Sequence, residues 1–274
     1  ISLSTSLDGS AEVHNQNRPF LHSDLGMYEV VDRKLKSLHK RDIAIGAIQT
    51  TTRFSISKYQ EIIDEYVLQG MHSIFIRPLT PLGMAADRWN EIGYTPEQFC
   101  SFYRKALKYI ISINQSGYFL SEGHAKIFLR KILLNFSENY MDLRSPCGGG
   151  FGQLAYYYDG RIYTCDEARM LAEMGSNDFC VGNIFESNYN EIVSSSACKA
   201  VCKASIIETL PTCSQCVYQP YCGVCPVINY ASMHDVYETS PANYRCKIYH
   251  GMLDIIFEIL KDENNIRIFR KWIE

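Results

Sequence analysis

The sequence predicts an α/β protein in which a parallel sheet with helical crossovers is followed by a small cysteine-rich α+β domain. Three observations carry that prediction. Apolar and β-branched runs at residues 1–6, 43–52 and 73–79 alternate with amphipathic stretches through the first 140 residues, and strand–helix–strand alternation is the pattern that parallel sheets require. From about Ser145 the texture changes to short strands, turns and cysteines. Ten of the 11 cysteines lie after residue 146, and only Cys100 precedes them.

The elements follow in order. Residues 23–40 and 58–69 read as amphipathic helices, the second placing Ile62, Ile63, Tyr66 and Val67 on one face. A long polar loop spans residues 78–90, and two further helical patterns cover 96–113 and 122–134. Residues 153–164 read as a hairpin whose arms meet at Asp159-Gly160, a favoured tight-turn pair. The last segment carries Ile248, Met252, Ile255, Ile256 and Ile259 at helical spacing and is expected to pack back on the body. The expected division is residues 1–140, 141–250 and a C-terminal helix over 251–274.

The chain has 274 residues, 46% hydrophobic and 21% charged, with a formal net charge of -3. That balance is that of a globular protein, and it offers no basic footprint for nucleic acid. The N-terminal ISLSTSLDGSAEVHN has no basic region followed by an apolar core, and no apolar run approaches the roughly 18 residues of a membrane span. A cytoplasmic protein without a membrane partner is expected. Because the sequence begins with Ile1 inside a strand pattern rather than with Met, it is expected to be a piece of a longer protein. In a reducing compartment, clustered thiols read as metal ligands rather than disulfides.

The strongest pattern is Cys213-x2-Cys216-x5-Cys222-x2-Cys225, four thiols within thirteen residues. Pairs spaced by two residues let one tight turn aim both sulfurs at a single ion or cluster edge. The interleaved Pro211, Pro220, Gly223 and Pro226 favour the irregular loop such a site needs. Upstream stand Cys147 and, after a twelve-residue gap, Gly160-x4-Cys165, so the hairpin returns its far end beside its start. Downstream lies Cys246, at the head of the last helical pattern. On ligand type alone the four-cysteine loop suits structural zinc as well as iron and sulfur.

The series Cys147, Gly160-x4-Cys165, Cys213-x2-Cys216-x5-Cys222-x2-Cys225 and Cys246 resembles the seven-cysteine signature of the SPASM domain, the C-terminal extension of radical S-adenosylmethionine peptide and protein maturases. The resemblance covers about residues 145–250. It departs in one gap: Cys222 and Cys225 are separated by two residues where the family pattern has three. The seven matching positions favour iron–sulfur over zinc. The resemblance implies two auxiliary [4Fe-4S] clusters, one held by Cys213, Cys216, Cys222 and Cys246, the other by Cys147, Cys165 and Cys225. The fourth position of the latter is either open to substrate or filled by Cys180, Cys198 or Cys202. Cys198 and Cys202 would share one face of a helix, whereas Cys100 reads as a packing residue.

In the N-terminal half, Ser6-Leu7-Asp8-Gly9 is a polar turn at a strand end, where α/β proteins bind ligands. Followed by His14 and Arg18, it resembles the fourth strand of the radical S-adenosylmethionine partial (β/α)6 barrel. Residues 43–53 and 73–78 would then be strands five and six, and the 140 residues would be just over half of a typical ~250-residue barrel. On that map Ser6, Asp8, Thr51 and Arg77 face the S-adenosylmethionine end. The phrases STSLDG, TTTRFS, SIFIRPLTPLG, DEARMLAEMG and YQPYCGVCP resemble, more narrowly, the maturase of the His-Xaa-Ser peptide-modification system. Many members of that group lack counterparts of Cys147, Cys165 and Cys225, which this chain keeps, so a neighbouring subgroup is implied.

The family's Cys-x3-Cys-x2-Cys loop, which binds the cluster that cleaves S-adenosylmethionine, occurs nowhere in the sequence. The chain by itself is therefore expected to generate no 5′-deoxyadenosyl radical. In the intact protein the resemblance implies hydrogen-atom abstraction from a peptide or protein substrate, with the auxiliary clusters relaying an electron and a flavodoxin or ferredoxin as reductant. Asp166, directly after Cys165, stands where related sulfatase maturases place a catalytic carboxylate; as a helix N-cap it would be structural. The run Tyr156 to Tyr158 reads as alternating hairpin packing. A zinc-stabilised peptide-binding module, or a regulatory module without catalysis, is the competing reading.

Overall fold

The computed structural model describes residues 3–20, 26–238 and 243–274. The expected strand residues 1 and 2 and helix residues 23–25 lie outside these. The chain divides into two compact units, one of residues 1–79, 89–130 and 251–274, the other of residues 80–88 and 131–250.

The first unit opens with β1 (Leu3–Ser6), α1 (Ala11–Asn17), α2 (Met27–His39), β2 (Ile45–Thr50), α3 (Tyr59–Leu68) and β3 (Ser73–Arg77). After α4 (Met84–Asp87), which belongs to the second unit, follow α5 (Trp89–Ile92), α6 (Pro96–Gln115), β4 (Ser121–Glu122) and α7 (Gly123–Leu134). Among the described residues the sheet has four strands, β1-β2-β3-β4, every pair parallel. The register aligns Ser6 with Ile48, Thr50 with Arg77 and Ile74 with Glu122. The α/β reading with a parallel sheet is thus observed. β4 has no counterpart in the expected elements, because two residues are too short to show an alternation.

The core of this unit comes from helices laid on the sheet. α3 buries Ile62, Ile63 and Tyr66, and the Tyr66 hydroxyl donates to the Leu7 carbonyl at 2.7 Å. α6 buries Phe99, Phe102, Tyr103, Ala106, Leu107 and Ile110, each large apolar side chain contributing about 1.5–3 kcal/mol by leaving water. α6 starts where it does because Thr95 and Gln98 form a capping box with Pro96 at the first helical position. α7 begins at Glu122, whose buried carboxylate accepts from Tyr103 Oη at 2.6 Å and from the Ile76, His124 and Ala125 amides at 3.1, 3.2 and 2.7 Å. Burial raises this carboxyl above the usual range against the pull of those four donors.

In the second unit β5 (Ala155–Tyr156) and β6 (Arg161–Tyr163) form the expected hairpin, with Gly160 at the turn and the Tyr157 amide donating to the Arg161 carbonyl. α8 (Asp166–Glu173) follows, then β7 (Cys180–Asn183), which adds an antiparallel third strand to β6. Next come α9 (Tyr189–Ser194), α10 (Ser196–Ala204) and α11 (Pro226–Met233). The C-terminal segment is two helices, α12 (Tyr244–Ile259) and α13 (Glu263–Ile273), because the Asp262 side chain accepts the Asn264 amide and starts a new helix. Trp272 of α13 is buried in the first unit, its indole N–H donating to Asn114 Oδ1 at 3.3 Å.

Candidate metal centre

Cys147, Cys165 and Cys225 are carried by three separate pieces of chain: the loop after residue 143, the end of the hairpin, and the approach to α11. All three pack into one apolar cluster with Tyr163, Leu171 and Phe179. Cys165 and Cys225 occupy the residue preceding the first turn of α8 and α11, where the partial positive charge of a helix start favours a thiolate. Burial works in the other direction: it raises the Cys165 thiol well above its usual range, with Cys225 adding to the effect. Burial also pushes Cys225 up to about 12, against the Arg245 guanidinium. The Cys147 amide donates to Ser205 Oγ at 3.1 Å, and its sulfur accepts the Gly149 amide at 3.4 Å.

The second group is local. Cys213 opens a short 3-10 turn, Cys216 closes it with its amide on the Cys213 carbonyl at 3.0 Å, and a further turn over 219–221 leads to Cys222. Cys222 is pushed up to about 12, first by burial and then by Cys246, Cys213 and Cys216, so the four thiols share one electrostatic neighbourhood. Cys213, Cys222, Cys225 and Cys246 line one pocket, together with Gly223 and Arg245. Gly223 presses on the backbone of 142–144, where a Cβ would sit 2.7 Å from the Asp142 carbonyl oxygen; only glycine permits that approach. Lys131 braces the same segment, donating to the carbonyls of Leu143 and, at 3.2 Å, Tyr221.

The structure packs Cys147, Cys165 and Cys225 into one apolar cluster and places Cys213, Cys222 and Cys246 on a pocket that Cys225 also lines. Among the described residues no three His, Cys, Asp or Glu side chains converge as closely as one metal ion needs. Of the further thiols, Cys180 on β7 borders the first cluster. Cys198 on α10 is buried, and its sulfur would lie 2.7 Å from a Cβ at Gly150, whose φ is +88°. Cys202 lies one turn further on, half-buried. Cys100 packs against Gly251 in the first unit.

In the first unit Ser6, Thr50 and Arg77 share one face of the sheet by register. Thr51 lies on the other, fully buried with its hydroxyl donating to Gln49 Oε1 at 3.0 Å. Asp8 is buried and occupied: its carboxylate accepts from Arg18 Nε at 2.8 Å and from the Thr50 amide at 3.0 Å, and its own amide donates to His14 Nδ1 at 3.1 Å. Buried donors on His14 Nε2, Asn17 Nδ2 and Gln49 Nε2 have no partner. Asp166 is the first residue of α8, exposed and paired with Arg169 at 2.9 Å, while Cys165 takes the N-cap position. Tyr157 packs inward while Tyr156 and Tyr158 face solvent. Sequence reading passed over Arg245, Asp142 and Lys131; the one available signal was Arg245 standing next to Cys246.

Residues 147–217 match the SPASM model, an iron–sulfur cluster-binding domain, a span that includes Cys147, Cys165, Cys213 and Cys216. No curated protein matches the chain. Among solved structures the chain is similar to native anSMEcpe with bound AdoMet, at 19% identity and a TM-score of 0.73 over 98% of this chain and 68% of that one. It is similar also to anSMEcpe with AdoMet and the Kp18Cys peptide (18%, TM-score 0.71, 98% and 69%) and with the Cp18Cys peptide (19%, TM-score 0.73, 98% and 69%). Among the described residues no helix is long and apolar enough to cross a membrane. The chain thus shares the α/β architecture of anSMEcpe, with a SPASM match over residues 147–217.

Proposed function

We propose that the chain serves radical S-adenosylmethionine maturation of a peptide or protein, its second unit holding two auxiliary [4Fe-4S] clusters. The observation that carries this reading is the pair of cysteine groups, Cys147 and Cys165 buried and the other five half-buried. Cys213, Cys216, Cys222 and Cys246 would hold one cluster, and Cys147, Cys165 and Cys225 the other, with Cys180, Cys198 and Cys202 as sources of a fourth ligand. Burial disfavours ionisation of Cys165, Cys222 and Cys225, so thiolates there call for a compensating positive charge of the kind iron supplies. Bound clusters would supply one-electron transfer, with potentials set by burial and hydrogen bonds to sulfur.

The solved relatives hold AdoMet and a cysteine-containing peptide, which supports AdoMet and a peptide as this system's ligands too. Ser6 and Arg77, on one face at the carboxyl end of the sheet, would meet the ribose or the methionyl group. Thr51 and Asp8 would act by holding Gln49, Arg18 and His14 in place. Any cluster that cleaves S-adenosylmethionine would draw its ligands from outside these 274 residues. Asp166 would serve as proton acceptor only once freed from Arg169. A reducing cytosol, a flavodoxin or ferredoxin as electron donor, and kinship with the His-Xaa-Ser system maturase complete the reading.

The test is anaerobic reconstitution with iron and sulfide, followed by iron, labile-sulfide and zinc counting. About eight irons per chain, from two [4Fe-4S] clusters, are expected; zinc without iron overturns the reading.

A further inference from the structure

Arg245 is a buried cation that the cluster ligands leave only partly used. It sits in the first turn of α12, next to Cys246. Its amide donates to Asn243 Oδ1 at 2.9 Å, as does that of Cys246 at 3.2 Å, and Asn243 in turn donates to Asn229 of α11 at 3.0 Å. The backbone carrying the guanidinium is thus tied to the helix that Cys225 introduces. At the far end, Nη2 donates to Asp142 Oδ2 at 2.6 Å and to the Tyr249 hydroxyl at 3.1 Å. The Tyr249 ring centroid lies 5.2 Å from the guanidinium carbon. Nε, by contrast, is buried and has no hydrogen-bond partner.

A buried N–H without an acceptor is costly and therefore rare in native proteins. Arg245 also lines the pocket walled by Cys213, Cys222, Cys225 and Cys246. Cys225 does not itself accept from Nε, so a sulfide of a cluster seated in that pocket would supply the missing acceptor.

Building on the proposed function, we infer that Arg245 donates its Nε–H to sulfur at the Cys225 corner of the cluster held by Cys147, Cys165 and Cys225, raising that cluster's midpoint potential. One-electron reduction adds one negative charge to a cluster, and a fixed N–H donor on a cation stabilises the reduced form. Arg245 is a positioning and tuning residue rather than an iron ligand, so its loss should change the potential without changing the iron count.

The experiment is a redox titration of the reconstituted chain with dithionite, followed by electron paramagnetic resonance, for the wild type, R245Q, R245K and D142N. In R245Q, iron per chain stays at the wild-type level and one of the two midpoints moves to more negative potential. In R245K, which keeps the charge but loses the planar N–H, the shift is smaller. D142N, which removes the opposing carboxylate, moves the same midpoint the other way. Two unmoved midpoints in R245Q at full iron overturn the inference, as do two equal shifts. Should R245Q assemble no cluster, D142N decides, and an unmoved midpoint there overturns it. Wild-type chain without iron overturns the functional reading and the inference with it; clusters present with unmoved midpoints overturn the inference alone.

Discussion

The two units are built on different physics. The first lays α3 and α6 on a four-stranded parallel sheet and buries large side chains such as Tyr66, Phe99, Phe102 and Tyr103 completely. Its buried charges are answered within the protein, Asp8 by Arg18 and the Thr50 amide, Glu122 by four donors. The second unit has strands of two to four residues, and its core includes Cys147 and Cys165, with Cys225 packed against it. There the core includes thiols, and burial, with neighbouring thiols adding to it, disfavours their charged form. Apolar burial suffices in one unit, whereas in the other the core carries thiols that the proposed clusters would use.

Removing the iron puts the largest strain on that contrast. A metal site coupled to folding contributes on the order of 10 kcal/mol. Chelation of the reconstituted chain should therefore sharply raise amide hydrogen exchange in α8, α10 and α11 while α3 and α6 keep their protection. Equal protection before and after chelation would mean that the second unit stands without its clusters.

A mid-sized effect comes from the other side. Phe99→Ala should cost about 3–5 kcal/mol of stability in the first unit, as large-to-small changes in a packed core do. Urea unfolding reads the cost, and iron per chain should be unchanged because no cluster ligand lies there. Loss of iron in this variant would show that the units are not separable in the way their cores suggest.

The smallest effect is a pH dependence. His14 is fully buried and its Nδ1 accepts the Asp8 amide, so the neutral ring is the one that fits; burial holds its pKa below the ordinary 6.5. Below that value the unfolded chain takes up a proton that the folded one refuses, so stability falls as pH drops from about 6.5. His14→Gln should flatten this slope in thermal melts between pH 5 and 7, measured at constant ionic strength.

How much of this was legible varies with range in sequence. β2 and β3 were visible as apolar runs between amphipathic helices, whereas β1 is a short edge strand, LSTS, whose residues are exposed or half-buried. The hairpin showed in Asp159-Gly160, and the reading of a metal site rests on cysteine spacing that repeats within thirteen residues. β4 and β7 were not visible: two to four residues carry no period, and they are strands only because β3 and β6 offer free edges. Thr51 reads as a displayed hydroxyl in the sequence, but register turns it to the buried face beside Gln49 and leaves Thr50 next to Arg77.

By itself, then, the sequence determined the class of the fold and the order of its main elements, since both rest on local composition and spacing. Tertiary structure alone decided which carboxylates are already occupied and that Arg245 meets Asp142. Those facts depend on segments far apart in the chain being brought together, and spacing along a sequence carries no information about that closure.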